Sequence, residues 1–187
     1  MDTIDDILLE MEDKMSKSLD FMHEQFSGIR TGKASPALVE NIQVSYYGAM
    51  TRLRELAGIS TPEPRLIVIN AYDPTSLGEI EKAIMAANLG VTPVNDGRVI
   101  RVPIPELTEE RRNELSKVAR RQAEEGRVAI RNERRDANDR IKQLAKNGDI
   151  SEDDRDQALK DIQEQTDDYI KKIDALLEAK EQEIMEV

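Results

Sequence analysis

The apolar residues of this chain recur at intervals of three and four positions in three separate segments, and this period constrains the fold more than any other feature. Such spacing places side chains on one face of an α-helix. The three predicted core faces are Ile4, Leu8, Met11, Met15, Met22 and Ile29; Leu115, Ala119, Ala123, Ile130, Ala137, Ile141 and Leu144; and Leu159, Ile162, Tyr169, Ile173 and Leu176, with Ile170, Leu177 and Ile184 beside them. Because each face is narrow, the sequence predicts that the three helices pack against one another as a bundle.

Residues with helix-capping chemistry mark the ends of the second and third helices. Thr108 precedes two acidic residues and predicts the start of the second helix, and Asn147-Gly148 predicts its end. Ser151, with an aspartate three residues later, resembles a capping box that opens the third helix. So short a turn predicts an antiparallel helical hairpin. Gly126 lies mid-helix on the core face, at a cost of up to ~1 kcal/mol relative to Ala.

Residues 31–105 have a different pattern. Alternation of Ile42, Val44 and Tyr46 predicts a half-buried strand that ends at Gly48. The other predicted elements are a strand over 65–72, a helix over 76–89 ended by Gly90, and a hairpin within 91–105 whose turn is Asn95-Asp96-Gly97. The segment contains seven basic and seven acidic residues, so the whole net charge of −11 belongs to the helical part.

These patterns predict an α+β protein, in which a small α/β domain of β/α/β order is inserted into an elongated three-helix bundle. The bundle is predicted to contain residues 1–30 and 106–187, and the inserted domain residues 31–105. Two connections join them, at Arg30-Thr31-Gly32 and at Pro103-Ile104-Pro105. Glycine leaves local backbone freedom and prolines restrict φ, so we expect a hinge built from these six residues.

A cationic stripe follows the second helix. Residues 111–146 contain twelve Lys and Arg against six Asp and Glu, and at 100° per residue seven of the cations fall within roughly a 100° arc. The members of this cationic stripe are Lys117, Arg120, Arg127, Arg131, Arg134, Arg135 and Lys142, with Asn113, Ser116 and Asn138 as polar neighbours and Glu124 as the single acid. An arginine-rich row on a helix suits a row of phosphates. The alternative is a solvated face, or one that pairs with acids of neighbouring helices at ~0.2–1 kcal/mol per pair.

Composition argues against an enzyme, a metal centre and a membrane protein. There is no cysteine and a single histidine, His23, so the usual nucleophile–base pairs and metal sites lack their residues, and we expect no cofactor. No run of 18 apolar residues is present and the N-terminus is acidic, which indicates a cytoplasmic protein without membrane contact. The net charge of −11 repels RNA beyond a Debye length of about 8 Å, so the stripe must act at short range.

Several runs of residues, in this order and spacing, resemble the ribosome recycling factor family, and together they span essentially the whole chain. They are residues 30–36 (RTGKASP), 46–48 (YYG), 81–84 (EKAI), 101–105 (RVPIP), 107–112 (LTEERR), 128–132 (VAIRN), 134–139 (RRDAND) and 150–154 (ISEDD).

The resemblance implies a two-domain, L-shaped protein of roughly tRNA-like outline, and we expect it to be a monomer. It implies binding to the large ribosomal subunit through rRNA after termination and, with elongation factor G, splitting of the ribosome. In that family the elongation factor hydrolyses the GTP, so this chain would need no catalytic residue and no cofactor. The family's main rRNA contacts lie on the bundle, and the matching positions here include Arg131 and Arg134.

The complete set of predicted RNA-binding residues is Arg111, Lys117, Arg120, Arg127, Arg131, Asn132, Arg134, Arg135, Asn138 and Lys142. A different function also fits the pattern, namely a helical scaffold that binds partner helices without contacting nucleic acid. Such a scaffold should keep an exposed apolar face and self-associate, whereas a ribosome factor should be monomeric.

Overall fold

A computed structural model describes residues 2–186 and shows the predicted α+β fold. Its elements are α1 (Ile4–Ser27), β1 (Gln43–Tyr46), β2 (Ala49–Arg52), α2 (Leu53–Leu56), β3 (Ala57–Glu63), β4 (Leu66–Ala71), α3 (Leu77–Ala86), β5 (Val94–Asn95), β6 (Ile100–Pro103), α4 (Glu109–Lys146) and α5 (Glu152–Met185). The contacts group them into two compact units. One unit comprises the chain up to Phe26 together with Lys117–Glu181, and the other comprises Ser27–Ser116 together with the residues after Glu181.

The first unit is a three-helix bundle of α1, α4 and α5. On α4 the structure buries every predicted core residue except Leu144, which is half-buried. The prediction was wrong at the start of α1, where Ile7 is buried and Ile4 and Leu8 are only half-buried. A strict alternation of three and four residues has a period of 3.5, and a straight helix of 3.6 residues per turn drifts from it by about 20° per heptad.

On α5 the helix face that packs inward includes two small side chains that an apolar template does not find. Ala158 and Thr166 are buried there, whereas Leu159, Tyr169 and Leu176 are only half-buried. The hydroxyl of Thr166 donates a hydrogen bond of 2.7 Å to the carbonyl oxygen of Ile162, so its burial leaves no unpaired donor.

Side chains cap all three long helices at their N-termini. The hydroxyls of Thr108 and Ser151 each accept a hydrogen bond from the amide three residues further on, at 3.1 and 3.0 Å, as predicted. A reciprocal capping box that the sequence analysis missed opens α1. There the Thr3 amide donates to the Asp6 carboxylate at 2.9 Å, and the Asp6 amide donates to the Thr3 hydroxyl at 3.2 Å.

The turn between α4 and α5 is a Schellman motif. Gly148 has a φ of 79° and its amide donates to the carbonyl of Ala145, while the amide of Asp149 donates to the carbonyl of Leu144 at 2.9 Å. The predicted helical hairpin is therefore closed by a short turn whose backbone groups are paired.

The second unit contains a four-stranded sheet in the order β3-β4-β6-β5, a separate β1-β2 hairpin and helix α3. All pairings are antiparallel. Ile67, Ile69, Ile100 and Val102 from β4 and β6 form one buried cluster with Ile80 and other side chains of α3. The predicted strand over 65–72 corresponds to β4. The predicted turn Asn95-Asp96-Gly97 begins at the last residue of β5 and leads towards β6.

Helix α3 ends earlier than predicted, at Ala86 rather than at position 89. Asn88 and Gly90 have φ values of 52° and 71°, so the chain leaves the right-handed helical region two residues after the helix ends. Glycine adopts such angles without strain and asparagine does so more readily than other residues.

Candidate nucleic-acid interface

The cationic stripe lies along one continuous helix of 38 residues, about 57 Å long at 1.5 Å per residue. Lys117, Arg120, Arg135 and Lys142 are exposed. The other members, Arg127, Arg131 and Arg134, are half-buried, as is the neighbouring Asn138. All of these residues belong to the bundle unit, whereas the predicted Arg111 belongs to the other unit, where it pairs with Glu114 at 2.8 Å.

Part of the stripe is neutralised by acids of α5, as the alternative interpretation expected. Arg127 donates through Nε and Nη2 to the carboxylate of Asp174 at 2.9 and 2.6 Å, and only 19% of its side chain is exposed. Arg120 pairs with Glu181. Partial burial lowers the pKa of Arg127, but its hydrogen bonds with Asp174 and Glu124 raise the pKa overall. Both guanidinium groups are thus paired with carboxylates of α5.

Glu124 lies between two members of the stripe on the same helix. Its carboxylate accepts hydrogen bonds from Nη1 of Arg131 at 3.0 Å and from Nη1 of Arg127 at 3.2 Å. These two hydrogen bonds, with that from Arg131 the stronger influence, hold the pKa of Glu124 below its usual value. The single acid in the stripe is therefore ionised and hydrogen-bonded to two arginines of the stripe.

Four members of the stripe form no ion pair with any residue in the range 2–186. They are Lys117, Arg134, Arg135 and Lys142. Arg121, which lies just outside the predicted arc, is likewise exposed and without an ion pair in that range. An arc limit of 100° excluded it, and a wider arc would have included it.

The flank of α4 that faces α1 has a different electrostatic character. Arg140 pairs with Asp2 at 2.6 Å and Glu10 at 2.7 Å, and both hydrogen bonds raise the pKa of Arg140. Nζ of Lys14, on α1, lies 3.8 Å from the carboxylate of Glu133. The charge of Arg140 is thus compensated on this flank, whereas four of the seven stripe members have no ion pair within residues 2–186.

Asn132 and Val128 extend the surface beside the stripe. The predicted Asn132 is exposed, and Val128 on the same helix retains 45% exposure, which is high for a β-branched apolar residue. Sequence reasoning missed Val128 because a single apolar residue outside the periodic face carries no signal.

The predicted hinge residues are tied together inside the second unit. Arg30 is only 8% exposed, and its Nη2 and Nη1 donate to the carbonyls of Pro105 and, at 3.4 Å, Gly90. Burial, and secondarily the charge of Arg111, lowers the pKa of Arg30. One guanidinium group thus joins the two predicted hinge segments.

Two further kinds of feature are a metal-binding cluster and a membrane-spanning helix. Within residues 2–186 no cluster of three or more acidic or histidine side chains is arranged to hold a metal ion. Among those residues, no helix combines the length and the hydropathy that crossing a membrane requires.

Comparison with known proteins decides the family. A family model described as ribosome recycling factor matches residues 22–185. The chain belongs to the ribosome recycling factor family. The ribosome-recycling factor of Carboxydothermus hydrogenoformans is 54% identical over 184 residues, which cover 98% of this chain and 100% of the relative. That of Bacillus subtilis is 50% identical over 182 residues, with 97% and 98% covered.

Solved structures of the ribosome recycling factor family share the fold. A solution structure of a ribosome recycling factor superimposes with a TM-score of 0.81 at 44% identity and covers all of both chains. A second, of T. thermophilus ribosome recycling factor with E. coli elongation factor G bound to the E. coli post-termination complex, gives a TM-score of 0.71 at 45% identity and covers 99% of this chain and all of the other. The family resemblance stated from the sequence motifs is confirmed.

Proposed function

We propose that this chain recycles ribosomes after termination: it binds the large subunit through rRNA and, with elongation factor G and GTP, splits the ribosome into subunits. The observation that carries the proposal is the match to ribosome-recycling factors over 98% of this chain and 100% of the relative. The partners follow from the relative that is bound with elongation factor G to a post-termination complex. The protein itself then acts without catalytic residues, in the cytoplasm, as a monomer.

The surface that meets rRNA in this proposal is the unpaired part of the cationic stripe. Lys117, Arg134, Arg135 and Lys142 have no internal carboxylate partner within residues 2–186, so their charge is available to phosphates. Arg131 contributes as well, since a guanidinium has five N–H donors and Glu124 accepts from only one nitrogen of it. Arg120 and Arg127 have a smaller part because acids of α5 already hold them.

Burial of the bundle's apolar face favours this function over a helical scaffold. Met11, Met15 and Met22 are at most 3% exposed, and Ile130 and Ile141 are fully buried. A scaffold that binds partner helices would need such a face to be open. Here these core residues are instead buried among α1, α4 and α5.

The proposal is tested by density-gradient sedimentation of post-termination ribosomes. The purified protein with elongation factor G and GTP should convert them to subunits. The protein alone should not, and neither should the protein with elongation factor G and a non-hydrolysable GTP analogue. The protein alone should hydrolyse no GTP above background. Intact ribosomes after addition of all components would contradict the proposed function.

A further inference from the structure

Glu124 lies on the stripe between Arg127 and Arg131 and accepts a hydrogen bond from each of them. Its two carboxylate oxygens accept separate hydrogen bonds, Oε1 from Arg131 and Oε2 from Arg127, at 3.0 and 3.2 Å. Arginine pairs carboxylates and phosphates with the same donor geometry. A phosphodiester that approaches this pair of guanidinium groups therefore meets an anion that is already bound.

The two arginines differ in what they can still offer to RNA. Arg127 uses Nε, Nη1 and Nη2 within the protein, and 19% of its side chain is exposed. Arg131 uses Nη1 alone, and 38% of its side chain is exposed. Arg131 is thus the guanidinium for which an RNA phosphate and Glu124 compete directly, while Arg127 holds the other side of the carboxylate.

Glu124 also has the freedom to leave. Its side chain is 54% exposed, so water can solvate the carboxylate once a phosphate takes over Arg131. A buried acid would have no such alternative, because an unpaired buried charge is costly. The hydrogen bond between Glu124 and Arg131 can therefore break and re-form without leaving a buried, unpaired charge.

From this geometry we infer that Glu124 is an internal competitor for RNA phosphate, and that it keeps the stripe's affinity for rRNA low enough for release. The inference rests on the proposed function, since it requires that the stripe bind rRNA. The opposite role would be that Glu124 holds the Arg131 side chain in the position in which it contacts a phosphate. In that case, removal of the Glu124 carboxylate weakens RNA binding.

The experiment measures equilibrium binding to isolated large ribosomal subunits at several salt concentrations for Glu124→Gln and for Glu125→Gln. Glutamine keeps the size and the helix propensity of glutamate. Glu125 is exposed on the same helix and makes no ion pair within residues 2–186, so its substitution removes the same charge without freeing an arginine.

We expect Glu124→Gln to bind about three- to tenfold more tightly, because it removes a like charge a few Å from the bound phosphate. The dependence of log K on log salt should become steeper by up to about one, since one more cation is free to neutralise a phosphate. Glu125→Gln should change affinity by less than about twofold. In an Arg131→Ala background the gain from Glu124→Gln should largely disappear.

Two results would overturn the inference, and they are distinguishable. If Arg131→Ala and Arg134→Ala weaken binding while Glu124→Gln matches Glu125→Gln or binds less tightly, the RNA interface stands and the competitor role of Glu124 is wrong. If none of these substitutions changes binding, the proposed interface itself is wrong, and the inference is overturned with it.

Discussion

Gly126 lies mid-helix at a point where the bundle leaves room for a hydrogen atom and little more. A methyl group built there would lie 3.0 Å from Sδ of Met22 and 3.5 Å from Cδ1 of Ile173. Met22 and Ile173 are 1% and 0% exposed, so the added methyl group would meet two core side chains. The close approach of the three helices at this level explains a residue that costs helix propensity.

Gly126→Ala is therefore predicted to destabilise the bundle, even though alanine is the better helix former. Overpacking of a filled core costs typically ~1–3 kcal/mol, which exceeds the gain of up to ~1 kcal/mol in helix propensity. Urea unfolding should show a net loss of about 1 kcal/mol in the free energy of unfolding.

A Met22→Ala background provides the control, since it removes the sulfur that the new methyl group meets. There Gly126→Ala should stabilise the protein by up to ~1 kcal/mol, because only the propensity term remains. An increase in stability from Gly126→Ala in the unmodified chain would show that the core adapts and that close approach is not the reason for the glycine.

Helix α4 has a core face and, beside it, the cationic stripe that is proposed to bind rRNA. Ala replacement of both Arg131 and Arg134 should weaken binding to the large subunit and flatten its salt dependence by a slope near one for each lost phosphate contact. Neither side chain is buried, so stability should change by no more than ~0.5 kcal/mol per substitution.

Lys171→Ala is the matched control for this pair of substitutions, because Lys171 is an exposed cation on the acidic helix α5. Its removal should leave both affinity and salt slope nearly unchanged. Equal binding by the unmodified chain and the double variant would reduce the stripe to a solvated face.

Helices with a strong period and strands with an apolar pattern were predictable from the sequence, whereas contacts between distant segments were not. The stripe depends on spacing within one helix, so its position follows from the sequence. By contrast, the Arg127–Asp174 pair joins residues 47 positions apart and depends on the register of α4 against α5.

Three elements, α2, β2 and β3, were not predicted, and for α2 and β3 the reasons are local. Strand β3 contains Gly58 and Pro62, lies at the edge of the sheet and shifts register between Ser60 and Glu63. Glycine and proline are poor strand formers that are tolerated at edges and irregularities. Helix α2 has four residues, too few to establish a helical period.

At the scale of the whole molecule, we expect the connections at Arg30-Thr31-Gly32 and Pro103-Ile104-Pro105 to act as the hinge of the recycling step. The chain has no cysteine, so two introduced thiols are the only targets of a thiol-specific bifunctional cross-linker. Joining the inserted domain to the bundle in this way should preserve folding and large-subunit binding but abolish subunit splitting, since reorientation of rigid parts is blocked.

A control for the reagent carries both cysteines on α5, at Lys171 and Glu178, where the cross-link remains within one helix. This variant should split ribosomes as the unmodified chain does. Full splitting activity in variants locked between the domain and the bundle would show that motion at these connections is unnecessary.

The insertion of a sheet into a helical bundle has a consequence for the order in which the chain folds. Residues 28–108 separate α1 from α4, whereas only residues 147–151 separate α4 from α5. The sheet shortens the longer path once it has formed: the amide of Ala34 donates to the carbonyl of Pro64, and the amide of Ile104 donates to that of the adjacent Arg65, each at 2.7 Å. Closing a long flexible loop costs entropy. If the insert folds first, the connection between α1 and α4 is already short when these helices come into contact, so less entropy is lost at that step. During synthesis α1 is made first, so we expect its methionine-rich face to stay uncovered until α4 and α5 have been made and can pack against it.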